Sequence, residues 1–244
     1  MAPEDSSIDA ATPLAAILFD LDDTLWPIAP VIARAEHRLF DWIQAHAAPV
    51  AERYSIEALR ARRSKLMQDH PPLRADLVAL RHLCLSEAFA ACGVELTKVD
   101  EAMAVFTSAR NQVTCFADVS DCLPRLSQRI RIGSLTNGAA NLDQIGLAGH
   151  FEVNIAAHQL GAVKPDPAIF LHACDALRLR PEQVAYVGDD LRLDVEGAQK
   201  AGLTGLWMNR TGRPIPAELA HIRPDHSLQS LHDLLDWLDG RSPP

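Results

Sequence analysis

The chain has 244 residues, enough for one large domain or for a core carrying an insertion. It is 48% hydrophobic and 23% charged, which excludes disordered, collagen-like and fibrous chains. Asp and Glu outnumber Lys and Arg by 32 to 23, a net charge of −9 that lacks the basic footprint of a nucleic-acid binder. The longest clean apolar run, Leu14 to Phe19, falls far short of the ~20 residues of a membrane span. Residues 1–13 carry acids where an export signal would be basic and then apolar, and read as a disordered, solvated tail. The five cysteines (Cys84, Cys92, Cys115, Cys122, Cys174) include no C-x-x-C pair. Reduced buried thiols and a cytoplasmic location are expected.

In chain order, the first element is Ala15 to Asp20, an apolar run ending in an acid, as expected of a strand buried on both faces. Residues 27–115 contain no convincing strand. Ile32, Ala35, Leu39 and Ile43 recur at helical spacing. So do Leu73, Leu77, Leu80 and Cys84, and then Met103, Phe106, Arg110 and Val113. Pro49 and Pro71-Pro72 punctuate the stretch, which reads as a four-helix insertion. From about 119 onward strand and helix alternate. The strands are Ile130 to Thr136, Phe151 to Ala157, Val184 to Asp189 and Leu203 to Asn209. Helices are expected at 139–147, 166–178 and 191–201, and from Leu228 to Leu238. This order predicts a doubly wound, mainly parallel, Rossmann-like α/β sheet built from 14–26 and 116–244, with the helical cap 27–115 over its carboxyl edge.

The expected strand ends carry the reactive side chains. Asp20-Leu21-Asp22-Asp23-Thr24 follows the first strand, Thr136-Asn137-Gly138 the second, and Gly188-Asp189-Asp190, with Asp194, a later one. Lys164 lies between the last two. Phosphoryl transfer through an aspartate needs such a set. Asp20 is placed to attack phosphorus. Asp22 is placed to protonate the leaving oxygen and then to take a proton from water. Carboxylates and phosphate repel, so a hard cation is expected. Mg2+ would take carboxylates from Asp20 and Asp189 and the backbone carbonyl of Asp22. The Thr136 hydroxyl, Asn137 and Lys164 would hold phosphate oxygens. Asp190 and Asp194 lie one helical turn apart. Asp194 is the better support for the metal residues, since Asp190 has the alternative of capping its helix.

The ordered set resembles the haloacid dehalogenase-like hydrolases, across nearly the whole chain and with the cap after the first strand. The resemblance implies a Mg2+-dependent phosphatase with Asp20 as nucleophile and Asp22 as general acid/base. The dehalogenases themselves lack the second acid that stands here as Asp22. A narrower likeness is to the flavin-pathway phosphatases, carried by D-L-D-D-T-L, by A-P-V-I-A-R-A-E from Ala29 to Glu36, by L-T-N-G-A-A and by V-G-D-D-L-R-L-D-V. Those enzymes act on 5-amino-6-(5-phospho-D-ribitylamino)uracil and FMN. Trp26 departs from their Tyr.

Milder roles stand beside these. Thr24 either orients Asp22 or bonds its own backbone, and Asn137-Gly138 could be only a turn. Trp26 either stacks on substrate or anchors the core, the second being favoured. Arg34, His37, Arg74 and Arg81 are cap candidates for substrate contact, each also readable as a solvated helix residue. A small phosphorylated metabolite is the expected partner, with no nucleic acid and no membrane. No feature specifies an oligomeric state. Sugar phosphate, phosphoglycolate or nucleotide substrates are the alternatives, followed by a non-catalytic phosphate- or partner-binding protein and a 2-haloacid dehalogenase.

Overall fold

The computed structural model describes residues 13–241, so most of the expected tail lies outside the described residues. Strand β1 (Ala16–Phe19) leads directly to the site. The cap helices follow: α1 (Ile28–His46), α2 (Ala48–Arg53), α3 (Ile56–Asp69), α4 (Leu77–Ala91) and α5 (Thr97–Arg110). Then come α6 (Val119–Arg129), β2 (Arg131–Thr136), α7 (Leu142–Ile145), β3 (Val153–Ala156), α8 (Pro167–Leu177) and β4 (Val184–Gly188). The chain ends with α9 (Gly197–Lys200), β5 (Thr204–Met208), β6 (His226–Leu228) and α10 (Leu231–Asp239).

Among the described residues the strands form one six-stranded parallel sheet in the order β3-β2-β1-β4-β5-β6. The chain winds outward from β1 to β3, then returns to β4 on the other side of β1. The carboxyl edge between β1 and its two neighbours is therefore the switch point where α/β sheets bind ligands. Alternation along each strand splits the core. Ile17, Phe19, Ile132, Ala185 and Val187 pack under α6 and α10, through Leu123, Leu126, Leu231 and Leu234. Ala16, Leu18, Leu135, Val184 and Tyr186 pack under α8, through Ile169, Phe170 and Ala173. Sealing both faces is why β1 is apolar throughout.

The cap differs from expectation in one respect. Pro49 does not merely break the chain but sits in the first turn of the short α2, a fifth helix. Its core joins Ala35, Leu39 and Ile43 of α1 to Ala102, Met103 and Phe106 of α5. Glu36 is buried there between Arg60, Arg63 and Arg81. Arg81, expected as a candidate substrate contact, also lies over the Phe106 ring, 3.5 Å from its centroid, and so braces the cap interior. The connections into and out of the cap run side by side, with the Phe116 N–H donating to the Leu25 carbonyl at 3.0 Å.

Other differences are local. The expected helix at 139–147 shrinks to α7, begun by Asn141 accepting from the Gln144 N–H and ended at Gly146 with φ 86°. The stretch 191–201 starts as π-helical turns, Leu191–Glu196, before α9. Residues 226–228 form the edge strand β6. The last helix begins only at Leu231, after a capping box of Ser230 and Asp233.

Candidate active site

Asp20 leaves β1 at the switch point, its N–H held by the Val187 carbonyl at 2.8 Å. Lys164 reaches it from the loop before α8. The Lys164 ammonium donates to Asp20 Oδ1 at 2.7 Å, to Asp194 Oδ1 at 2.6 Å and to the Tyr186 hydroxyl at 2.8 Å. Tyr186 in turn donates to the Leu135 carbonyl at 2.7 Å. A lysine has three protons, and all three have acceptors here. Lys164 is thus positioned as a brace for Asp20 rather than as a free phosphate contact.

Burial opposes the charge on Lys164, but Asp194 and Asp20 together outweigh it and hold the ammonium well above its usual range. Burial pushes the Asp20 carboxyl well above the usual carboxylate range; Lys164 opposes this shift, while Asp194 and Asp22 add to it. Asp189 is pushed up to about 7, first by burial and then by Asp194, Asp23 and Asp190. Oxygen atoms of Asp20, Asp189 and Asp194 lie within 4.8 Å of one another. Three acids surround one ammonium, and burial resists charging Asp20 and Asp189. An all-oxygen donor set with surplus negative charge fits a hard divalent cation such as Mg2+.

Asp194 has both oxygens committed, Oδ1 to Lys164 and Oδ2 to the Asp190 N–H at 2.9 Å. It ties Lys164 to the turn after β4. Asp190 takes the alternative role: its Oδ1 caps the following turns, accepting from the Arg192 and Leu193 N–H groups at 2.8 Å. Gly188 makes this packing possible, because a Cβ there would collide with the Asp194 carboxyl.

Asp22 stands on a tight loop. Asp23 adopts φ 59°, a left-handed conformation that Asp tolerates, and its Oδ1 accepts from the Ile28 N–H at 2.9 Å. The turn brings Trp26 back to Asp22, with Nε1 donating to Oδ1 at 2.8 Å. Trp26 is fully buried, so the expected alternative of stacking on substrate is corrected: the indole orients Asp22. From the cap, Arg110 Nη2 donates to Asp22 Oδ1 at 2.8 Å and Oδ2 at 2.7 Å. Gly138 faces the same carboxylate; a Cβ on it would lie 2.6 Å from Asp22 Oδ2 and 3.2 Å from Thr136 Oγ1.

Three more expectations change. The Asn137 side chain, expected on phosphate, pairs with the Lys164 backbone, accepting from its N–H at 2.9 Å and donating to its carbonyl at 3.2 Å. It ties the two loops together. The Thr24 hydroxyl is buried without a hydrogen-bond partner, so it bonds neither Asp22 nor local backbone polar groups. Arg34 donates to the Gln112 carbonyl, which fastens α1 to the chain leaving the cap. Of the other cap candidates, His37 bonds Ala33 on its own helix, and both it and Arg74 are exposed. Thr136 Oγ1 accepts from the Gly138 N–H at 2.9 Å, leaving the hydroxyl proton to donate.

Sequence reasoning missed Arg110, Tyr186 and Arg210. Arg210 donates twice to the Thr24 carbonyl, at 2.9 and 2.8 Å, and pairs with Asp118 at 2.9 Å, anchoring the Asp20–Trp26 loop from behind. Arg110 carried a signal, being a charge within the apolar stripe of α5.

The fold, the switch-point acids and the cap define a hydrolase of the capped α/β class. The chain belongs to the haloacid dehalogenase-like hydrolases, whose family model matches residues 14–202. It is 28% identical over 199 residues to 5-amino-6-(5-phospho-D-ribitylamino)uracil phosphatase YigB of Escherichia coli, covering 80% of this chain and 83% of that protein. It is 29% identical over 234 residues to the phosphoserine phosphatase of Thermus thermophilus, covering 81% and 90%. A 2-haloacid dehalogenase from Pseudomonas syringae pv. tomato superposes with a TM-score of 0.86 at 33% identity, covering 94% of this chain and all (100%) of that one.

Proposed function

We propose that the protein is a cation-dependent phosphomonoesterase working through an aspartyl-phosphate on Asp20. The observation that carries this reading is Asp22. A carboxylate two residues beyond the nucleophile is fixed by Trp26 and Arg110 and shares Gly138 with the Thr136 hydroxyl. Phosphoester cleavage needs an acid at that place, to protonate an alkoxide leaving group. Release of halide needs none.

In the first step an Asp20 carboxylate oxygen bonds to phosphorus while the bond to the ester oxygen breaks. That oxygen leaves with the electron pair and takes a proton from Asp22. In the second, Asp22 takes a proton from water, the water oxygen bonds to phosphorus, and the Asp20 carboxylate is expelled. Lys164, Asp194 and Tyr186 hold Asp20 in line. The Thr136 hydroxyl and the loop N–H groups donate to phosphoryl oxygens. Asp20 and Asp189 would hold Mg2+, which supplies charge neutralisation for the phosphoryl group.

For the substrate we favour a phosphate ester with a neutral, hydroxyl-rich leaving group, the flavin-pathway ribitylaminouracil phosphate or FMN first. Two things support this. One is the activity for which the E. coli relative is named. The other is a cavity of about 330 Å3 beside Thr136, at the lower end of ligand-pocket sizes. Its polar wall is Thr107, Ser134, Asn141, Asn154 and Gln159 with Asp143 and His158, and no lysine or arginine is among its described lining residues. Such a wall suits hydroxyl and amide groups better than a carboxylate or a second phosphate. The test is phosphate release from FMN, sugar phosphates, phosphoserine, phosphoglycolate and nucleotides, with Mg2+ or chelator and with Asp20→Asn as blank. Release from FMN or a polyol phosphate that needs both Mg2+ and Asp20 is expected. Halide release from 2-haloacids, with every phosphate inert, would replace this reading with dehalogenation.

A further inference from the structure

Arg110 ends the last cap helix, yet its side chain is only 5% exposed. Burying a guanidinium is costly unless its donors are used. Nη2 is used twice, on the two oxygens of Asp22. Nη1 is buried and has no partner. A buried unmade hydrogen bond is costly, and more so on a charged group. The position of the guanidinium that carries this unpaired donor is informative. Nη2 of the same planar fork lies 3.4 Å from where a Cβ on Gly138 would stand, and that position is itself 3.2 Å from the Thr136 hydroxyl. The guanidinium therefore borders the loop to which the phosphatase reading assigns the phosphoryl oxygens.

We propose that Arg110 is a substrate-binding residue, its free Nη1 donating to a non-bridging oxygen of the phosphoryl group while Nη2 holds Asp22. The inference rests on the phosphatase reading. The geometry suits arginine: its rigid fork reaches two oxygen-bearing groups at once, which lysine cannot reproduce. One guanidinium then aligns the acid with the phosphorus whose ester bond it must break. It also makes the cap part of the phosphate site, because the residue reaches Asp22 only when α5 is docked on the core.

The test uses the full chain with Mg2+ and p-nitrophenyl phosphate, comparing wild type with Arg110→Lys, Arg110→Met and Arg110→Ala. Inorganic phosphate serves as competitive inhibitor and, by calorimetry, as a ligand in its own right. The Met and Ala variants are expected to lose roughly 10²- to 10³-fold in kcat/KM, the scale for removing one preorganised donor. Phosphate affinity should fall at least about tenfold with them, the worth of one charged hydrogen bond. Lys should recover part of both, and added guanidinium should rescue the Ala variant. The phosphate affinity separates ligand contact from scaffolding, since it does not follow from simply orienting Asp22, whereas rescue accompanies either role. If kcat falls but phosphate affinity holds within about twofold, the inference is overturned and Arg110 only positions Asp22, whether or not guanidinium rescues. If Met and Ala do not fold, as read by melting, the Lys variant carries the test: unchanged phosphate affinity then overturns it. A wild type inert on all phosphates defeats the phosphatase reading instead, and phosphate calorimetry still decides whether Arg110 binds the anion.

Discussion

At the residue scale the site balances buried acids against one buried ammonium. The Asp189 carboxyl is raised, first by burial, to about 7. In the unfolded chain an aspartate ionises near 3.9. The folded state therefore holds this proton more tightly than the unfolded state. Stability from it is complete below about pH 4 and is lost as pH rises from there through about 7. In chelator, the melting temperature should fall over that window as far as Asp189 contributes. Mg2+ should raise it at pH 7–8 and do little at pH 5, where the proton fills the role. Asp189→Asn should remove both effects. A melt indifferent to Mg2+ at pH 8 would contradict the cation site. Asp20, Asp22, Lys164, Asp189 and Asp194 were legible because each sits at a strand end or a fixed turn spacing. Arg110 and Arg210 were not: Arg110 shows only as a charge in the α5 stripe, and no motif ties either arginine to its partner 88 or 186 residues away. Tyr186 was hidden differently: within an apolar strand, its hydroxyl gives no sign that it faces Lys164.

At the element scale, long apolar runs fixed the four inner strands and the flanking helices. Short elements were obscure for physical reasons. β6 has too few residues to display alternation, and its pairing partner β5 supplies the ladder. α7 and the π-helical turns are shaped by the groups they carry to the site, Asn141 and Asp194, rather than by helical periodicity. The junction of β4 with those turns gives a sharp prediction. Gly188→Ala pushes a methyl into the Asp194 carboxyl and so displaces it from Lys164. Overpacking of this kind costs about 1–3 kcal/mol. The melt should show that loss together with a fall in kcat larger than any change in KM. An alanine variant with native melting and native kcat would mean that Asp194 is not held as described.

At the scale of the whole molecule, the fold sets where chemistry occurs and leaves the reaction to a few side chains. The α/β core with a helical insertion after β1 followed from the order of patterns along the chain. The fifth cap helix and the docking of α5 onto Asp22 are tertiary facts that periodicity does not contain. Relatives named as phosphatases and as dehalogenases match the same architecture, so the decision falls on what Asp20 attacks and on what Asp22 then does. The most direct measurement is mass spectrometry of the enzyme quenched in acid during turnover of a phosphate monoester with Mg2+. A phosphoryl adduct mapped to Asp20, accumulating further in Asp22→Asn and missing from Asp20→Asn, is the expected result. Turnover with no adduct on Asp20 in either the wild type or Asp22→Asn, or an adduct on another residue, would contradict the aspartyl-phosphate mechanism.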